Sequence, residues 1–200
     1  MSSTVDRNSP WEQQVILVDE QDHEVGTAGK LAAHRKALLH RAFSIFIFDS
    51  SSRMLIQQRA ASKYHSPGLW SNACCGHPMP GEAIEAAAHR RLWQEMGIDC
   101  HLTEAFSFTY SKNLGGGMSE SEYDHVFLGF FEGAVTPDPD EVAAWHWVGL
   151  VELVQDVADN SGVYTFWFKQ ALDRILAEST LQIVDSLEAS GHRFEPCLQA

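Results

Sequence analysis

Between Ser62 and Gly81 the chain carries Pro67, Gly68, Gly76, Pro78, Pro80 and Gly81, a density of breakers that makes the segment mostly loop. A loop of that length inside a compact domain is a common seat of function. Its flanks narrow the fold further. Before it, Ala42 to Phe48 (AFSIFIF) is the most strand-like run of the sequence, rich in aromatic and β-branched residues. Asp49-Ser50-Ser51-Ser52 breaks that run, and Met54 to Gln58 returns as the second arm of a hairpin. After it, Glu82 to Met96 is Ala-rich, opens on an acidic residue and is closed by Gly97, the pattern of a helix.

The rest of the chain fits around this unit. Val15 to Val18 ends at Asp19 as a short strand, Asp22 to Gly26 reads as a turn, and a return strand can follow it. Phe106 to Tyr110 and Tyr123 to Phe131 read as strands around the turn Gly115-Gly116-Gly117, and Ala144 to Val148 as one more. Leu150 to Val157 and Phe166 to Ala177 are helical in pattern, with a further helix expected in the last twenty or so residues. Residues 1–12 read as a disordered tail, 13–180 as one domain and 181–200 as a C-terminal extension. The 200 residues suffice for one sizeable core. An α/β (α+β) domain with a mixed sheet flanked by helices is the expected class.

Charge excludes some functions. With 27 acidic against 14 basic side chains and a net charge of −13, a nucleic-acid partner would require a concentrated basic patch. The basic residues are scattered instead, although a few converging on one pocket suffice for a phosphate group. No run approaches the roughly 18 apolar residues of a membrane helix, and the polar start MSSTVDRNSP has no signal core. A cytoplasmic enzyme with no membrane partner is expected. Cys74, Cys75, Cys100 and Cys197 show no CxxC or zinc-ribbon spacing, so a disulfide framework is not expected and a thiol is available for chemistry.

The stretch Gly76 to Ile98 resembles the Nudix box: Gly76, Glu82, Arg90, Leu92, Glu95, Gly97 and Ile98 stand at its positions. Arg91 and Gln94 stand where the box has glutamates. The Nudix hydrolases use those glutamates to gather divalent ions around a diphosphate and activate water. The resemblance therefore implies a single Nudix-like domain while contradicting hydrolysis.

Trp70-Ser71-Asn72-Ala73-Cys74-Cys75-Gly76-His77-Pro78 resembles the W-x-N-x-x-C-G-H-P loop of type 1 isopentenyl diphosphate isomerases. The resemblance implies that Cys75 is an acid/base residue and His77 a metal ligand, with Cys74 as a packed small hydrophobe. It adds His34 and His40 from the N-terminal region and the Glu-x-Glu pair Glu120 and Glu122, since residues two apart on a strand share a face. Three nitrogens and two carboxylates suit an octahedral Mn²⁺, Mg²⁺ or Zn²⁺ with room for one more ligand. Cys75 is grouped with the metal set too, though not through its thiol. Glu95 is implied in holding Mg²⁺ against the diphosphate. Lys30, Arg59, Lys63 and Arg91 are implied as diphosphate binders, and Tyr110 and Trp167 as active-site aromatics. The remaining histidines, His65 among them, match no ligand position and are expected to be surface or structural.

The implied reaction moves a double bond that has no acidic proton beside it. A proton must be added at the terminal carbon and another removed from the neighbouring methylene, through a carbocation-like state. Cys75 and Glu122 form the expected pair, with Tyr110 bridging protons and Trp167 facing the cation. The expected partner is a small diphosphate substrate, and a monomer is assumed. One rival is a Nudix diphosphohydrolase, which calls for the absent glutamates. The other is a non-catalytic Nudix-like binding module, which has no need of a metal set and an acid/base pair.

Overall fold

The computed structural model describes residues 13–63 and 65–177. The expectations for residues 1–12, for the extension at 181–200 and its helix, and for Cys197 lie outside the described residues. β1 (Gln14–Val18) and β2 (Glu24–Gly29) form an antiparallel hairpin, followed by the short helix α1 (Lys30–Lys36). β3 (His40–Phe48) and β4 (Arg53–Arg59) are the predicted hairpin. β5 (Trp70–Asn72) and β6 (Cys74–Gly76) follow, then helix α2 (Ile84–Met96). β7 (Leu102–Gly115) and β8 (Met118–Phe130) make a long hairpin, and β9 (Val142–Gly149), α3 (Leu150–Asp159) and α4 (Phe166–Ala177) complete the described chain.

β3 organises the mixed sheet. It runs parallel to β8, with His40 opposite Glu122 and Phe48 opposite Phe130. Antiparallel β6 sets Ser44 against Cys75 and Ile45 against Cys74. Side chains alternate along a strand, so the two faces of β3 feed separate cores. Phe46 and Phe48 pack with Trp167 and Phe168 of α4, while Phe43, Ile45 and Ile47 pack with Ala88 and Leu92 of α2. The adjacent cysteines are divided in the same way. Cys74 is fully buried in the α2 core, and Cys75 faces the α4 core.

The structure departs from the sequence reading in particulars with local causes. The Ser62 to Gly81 segment contains β5 and β6, three-residue strands held by pairing to β4 and β3 rather than by their own propensity. α1 was not expected; seven residues are too few for a clear periodic signal. Helix α2 begins at Ile84 rather than Glu82, because the Glu82 carboxylate is occupied by the Met79 N–H and by Arg90. Two glycines are required by contact. A Cβ on Gly76 would stand 2.8 Å from Phe43 and 3.2 Å from Arg91, and one on Gly97 (φ 65°) would lie 2.2 Å from Thr136 Oγ1.

Candidate active site

Five groups from four parts of the chain meet at one end of β3. α1 supplies His34, β3 opens with His40, His77 follows β6, and β8 presents Glu120 and Glu122, all of them buried. Both carboxylates fall on the face of β8 that the register sets beside His40. His34 Nδ1 pairs with the Lys30 carbonyl and His40 Nδ1 with the Leu38 carbonyl, each at 2.8 Å. A carbonyl only accepts, so each ring keeps its proton on Nδ1 and turns the Nε2 lone pair inward. There His40 Nε2 lies 3.2 Å from His77 Nε2, which is 2.9 Å from Glu122 Oε1. His34 Nε2 is 2.9 Å from Glu120 Oε2.

Lone pairs and carboxylates crowded this closely in a buried site need a positive charge between them. The donor atoms of His34, His40, His77 and Glu122 all lie within 4.8 Å of one another, and those of His34, His65 and Glu120 form a second such group. Imidazole nitrogens with carboxylate oxygens suit a divalent first-row ion, so the residues fit the metal that the sequence implies. Burial and the neighbouring Glu122 raise the Glu120 pKa. Burial opposes ionisation of Glu122 as well, but its interactions with His40 and His77 outweigh it and hold Glu122 well below the usual carboxylate range. Burial pushes His77 down to about 3.

Tyr110 and Cys75, the expected proton carriers, lie on the same cavity. Tyr110 donates to Glu122 Oε2 at 2.6 Å, and burial with that carboxylate raises the phenol's pKa well above its ordinary value. Cys75 Sγ lies 3.2 Å from Asn72 Oδ1 and 3.5 Å from Ser44 Oγ, while Ser44 donates to Asp124 at 2.8 Å. Burial lifts the Cys75 thiol to about 12, helped by Asp124, so the resting group carries its proton. Cys75, Glu122, Tyr110 and Trp167 line one cavity of about 1140 Å³, together with Lys30, Arg59, Lys63, Arg91 and Glu95. Four cations on one wall are what a diphosphate requires. Arg91 and Lys63 both pair with Glu141, and Arg91 also grips Glu95. Burial opposes the charge on Glu95, yet Arg91 and Lys63 keep its pKa lowered.

Residues 38–168 match the NUDIX domain family. Two isopentenyl-diphosphate Delta-isomerases of Aromatoleum aromaticum are 55% and 53% identical to the chain over 166 residues. The aligned part is 83% of this chain and 88% and 94% of those proteins. The chain belongs to the isopentenyl-diphosphate Delta-isomerases of the Nudix family. A solved structure from Deinococcus radiodurans shares the fold at a TM-score of 0.62 and 20% identity, covering 74% of this chain and 90% of that one.

Within this isomerase, the box residues divide their work. Arg90 clasps Glu82 with two bonds of 2.7 Å and fixes the approach to α2. Arg91 turns into the cavity, where the hydrolase box has a carboxylate. Several residues in or against the cavity were missed by sequence reasoning. His65 was expected to be surface or structural, but its Nε2 lies 3.3 Å from Glu120 Oε1 and its ring meets Trp167 edge-on at 5.6 Å. Asp124 continues the alternation of Glu120 and Glu122 along β8 and could have been found that way. Glu141 carried no signal, since it enters from the segment before β9. His23, His89 and His125 pair instead with acidic side chains away from the cavity lining.

Proposed function

We infer that this chain isomerises isopentenyl diphosphate to dimethylallyl diphosphate, with Cys75 and Glu122 as the acid/base pair. The observation that carries the assignment is the lining of one cavity by a protonated thiol, a carboxylate bonded to a phenol, an indole and four cations. Lys30, Arg59, Lys63 and Arg91 anchor the diphosphate, which leaves the carbon skeleton among Cys75, Tyr110, Glu122 and Trp167. One group gives a proton to the alkene carbon and the other takes one from the neighbouring methylene. In the reverse reaction the two exchange roles. Tyr110 passes protons to and from the buried Glu122 carboxylate. The Trp167 ring offers its π face to the cationic carbon, an attraction strengthened where water is excluded.

His34, His40, His77, Glu120 and Glu122 would hold a divalent ion, Mn²⁺, Mg²⁺ or Zn²⁺, and Glu95 would hold Mg²⁺ against the diphosphate. Bound by Glu122 among these ligands, such an ion would make the carboxyl a stronger acid. Cys75 stands next to this set through its backbone position and not through its thiol. Diphosphate hydrolysis is disfavoured, because Arg91 and Gln94 bond to each other at 3.1 Å where that chemistry calls for carboxylates. The reading keeps a cytoplasmic monomer acting on a small diphosphate, without nucleic acid or membrane. Purified protein incubated with isopentenyl diphosphate and Mg²⁺ should form dimethylallyl diphosphate, and release of phosphate with no new alkene would reverse the assignment.

A further inference from the structure

Strand β5 carries two polar side chains, Ser71 and Asn72, that are fully enclosed yet belong to neither the metal cluster nor the cation wall. Their hydrogen bonds have only one consistent polarity. Asn72 Nδ2 donates to the Ile45 carbonyl at 3.0 Å and the Cys74 carbonyl at 2.8 Å. Those two acceptors use both amide protons and fix which end of the side chain is oxygen. Asn72 Oδ1 then accepts the Ser71 hydroxyl at 3.0 Å and the Cys75 thiol at 3.2 Å. With its only proton committed to Asn72, Ser71 Oγ accepts from the Trp167 indole N–H and from the Thr165 hydroxyl, each at 3.0 Å. Every donor and acceptor of the two side chains is in use.

We propose that Ser71 is a positioning residue that ties the Trp167 indole, through Asn72, to the Cys75 thiol, holding both in one fixed arrangement around the reacting carbons. The proposal rests on the acid/base and cation-facing roles assigned above. A hydroxyl serves here because an indole N–H can only donate and the Asn72 oxygen can only accept; among the described residues Ser71 joins the two. Backbone links already dock α4 on β5. The Thr165 N–H donates to the Trp70 carbonyl at 2.9 Å, and Tyr164 bridges Trp70. Removing the hydroxyl therefore leaves α4 seated and releases the indole, the amide oxygen and the Thr165 hydroxyl, the last of which the Thr165 control isolates.

The test uses the full chain with Ser71→Ala, Ser71→Thr and, as a control, Thr165→Val, which removes a donor to Ser71 without touching the tether. The Trp167 indole N–H signal in a ¹H–¹⁵N spectrum is identified by its loss in Trp167→Phe. Ser71→Ala should move that signal and lower kcat by about 10- to 100-fold, with KM for isopentenyl diphosphate within about twofold because, of the cation wall, only Arg59 stacks on the Trp167 ring, at 5.3 Å. Ser71→Thr should restore both signal and rate, and Thr165→Val should keep kcat within about threefold. Placed in Trp167→Phe, Ser71→Ala should cost less than about threefold more, as expected for residues acting as a unit. An unmoved indole signal, a rise in KM matching the fall in kcat, or losses that multiply in the double variant would overturn the tether. Wild-type protein that makes no dimethylallyl diphosphate would instead overturn the functional reading, and the indole signal would still decide the geometry.

Discussion

Helix α2 and the first half of β8 both bring carboxylates toward the cavity and use them in opposite ways. On and before α2, two acids have fixed partners from the same segment: Glu82 with Arg90, and Glu95 with Arg91. On β8, Glu120 and Glu122 meet histidine nitrogens and each other, and burial and mutual repulsion raise the pKa of Glu120. On the proposed reading the helix serves as a scaffold and an anion-binding wall. The strand, on the same reading, is where an external cation is called for and protons are moved. A signature helix therefore identifies the fold, while the chemistry is decided by what stands opposite it.

The strongest way to break this division is at the paired cysteines. Cys75→Ala on the α4-side face, which Glu122 shares, should reduce isomerisation by about 1000-fold or more, in the range of lost general acid–base catalysis, with metal content unchanged. Cys74→Ala on the α2 side should keep most activity and lose some thermal stability through a small cavity. Reversed outcomes in the same rate assay would show that the faces have been exchanged. Next in size is His77→Ala, which should weaken metal binding by about 100-fold or more, judged against the losses seen for outer partners of ligands. Elemental analysis after dialysis checks this, and full retention of metal would remove His77 from the ligand set.

On the α2 wall the effect should be smaller and of another kind. Arg91→Ala should raise KM for isopentenyl diphosphate by about tenfold, the value of one charge-assisted hydrogen bond. If kcat alone collapsed, Arg91 would belong to the chemistry rather than to the anion site. The smallest effect is on stability in chelated protein. Burial holds His77 down to about 3 and His65 down to about 2, so both stay neutral when folded, while the unfolded chain takes up protons below pH 6.5. Stability should fall as pH drops, by about 2 kcal/mol net between pH 7.5 and 5. His40 works the other way: its pKa is raised, against burial, by Glu122. Its contribution is present below 6.5 and lost as pH rises through its folded value. A melting temperature in chelator that is unchanged or higher at pH 5 would contradict this balance.

Much of this arrangement was legible in the chain. The bounds of α4, the β3–β4 hairpin and the closure of α2 at Gly97 follow from periodicity, β-branched content and a left-handed glycine. The opposite facing of Cys74 and Cys75 follows from alternation once β6 is a strand. What escaped was set by tertiary contact rather than local pattern. β5 and β6 exist because β4 and β3 offer edges to them, and α1 is too short to announce itself. His65 reaches Glu120 from a loop whose sequence gives no face, and Ser71 occupies a variable position of its motif. Glu141 meets Arg91 across 50 residues of chain.

The central claim is that this cavity moves protons on carbon, and isotope exchange in heavy water tests it most directly. Wild-type protein with Mg²⁺ and isopentenyl diphosphate in D₂O should place deuterium in dimethylallyl diphosphate and in recovered substrate, release no phosphate, and lose both signals in Cys75→Ala. Carbon-bound hydrogens that stay unexchanged while phosphate appears would contradict the account.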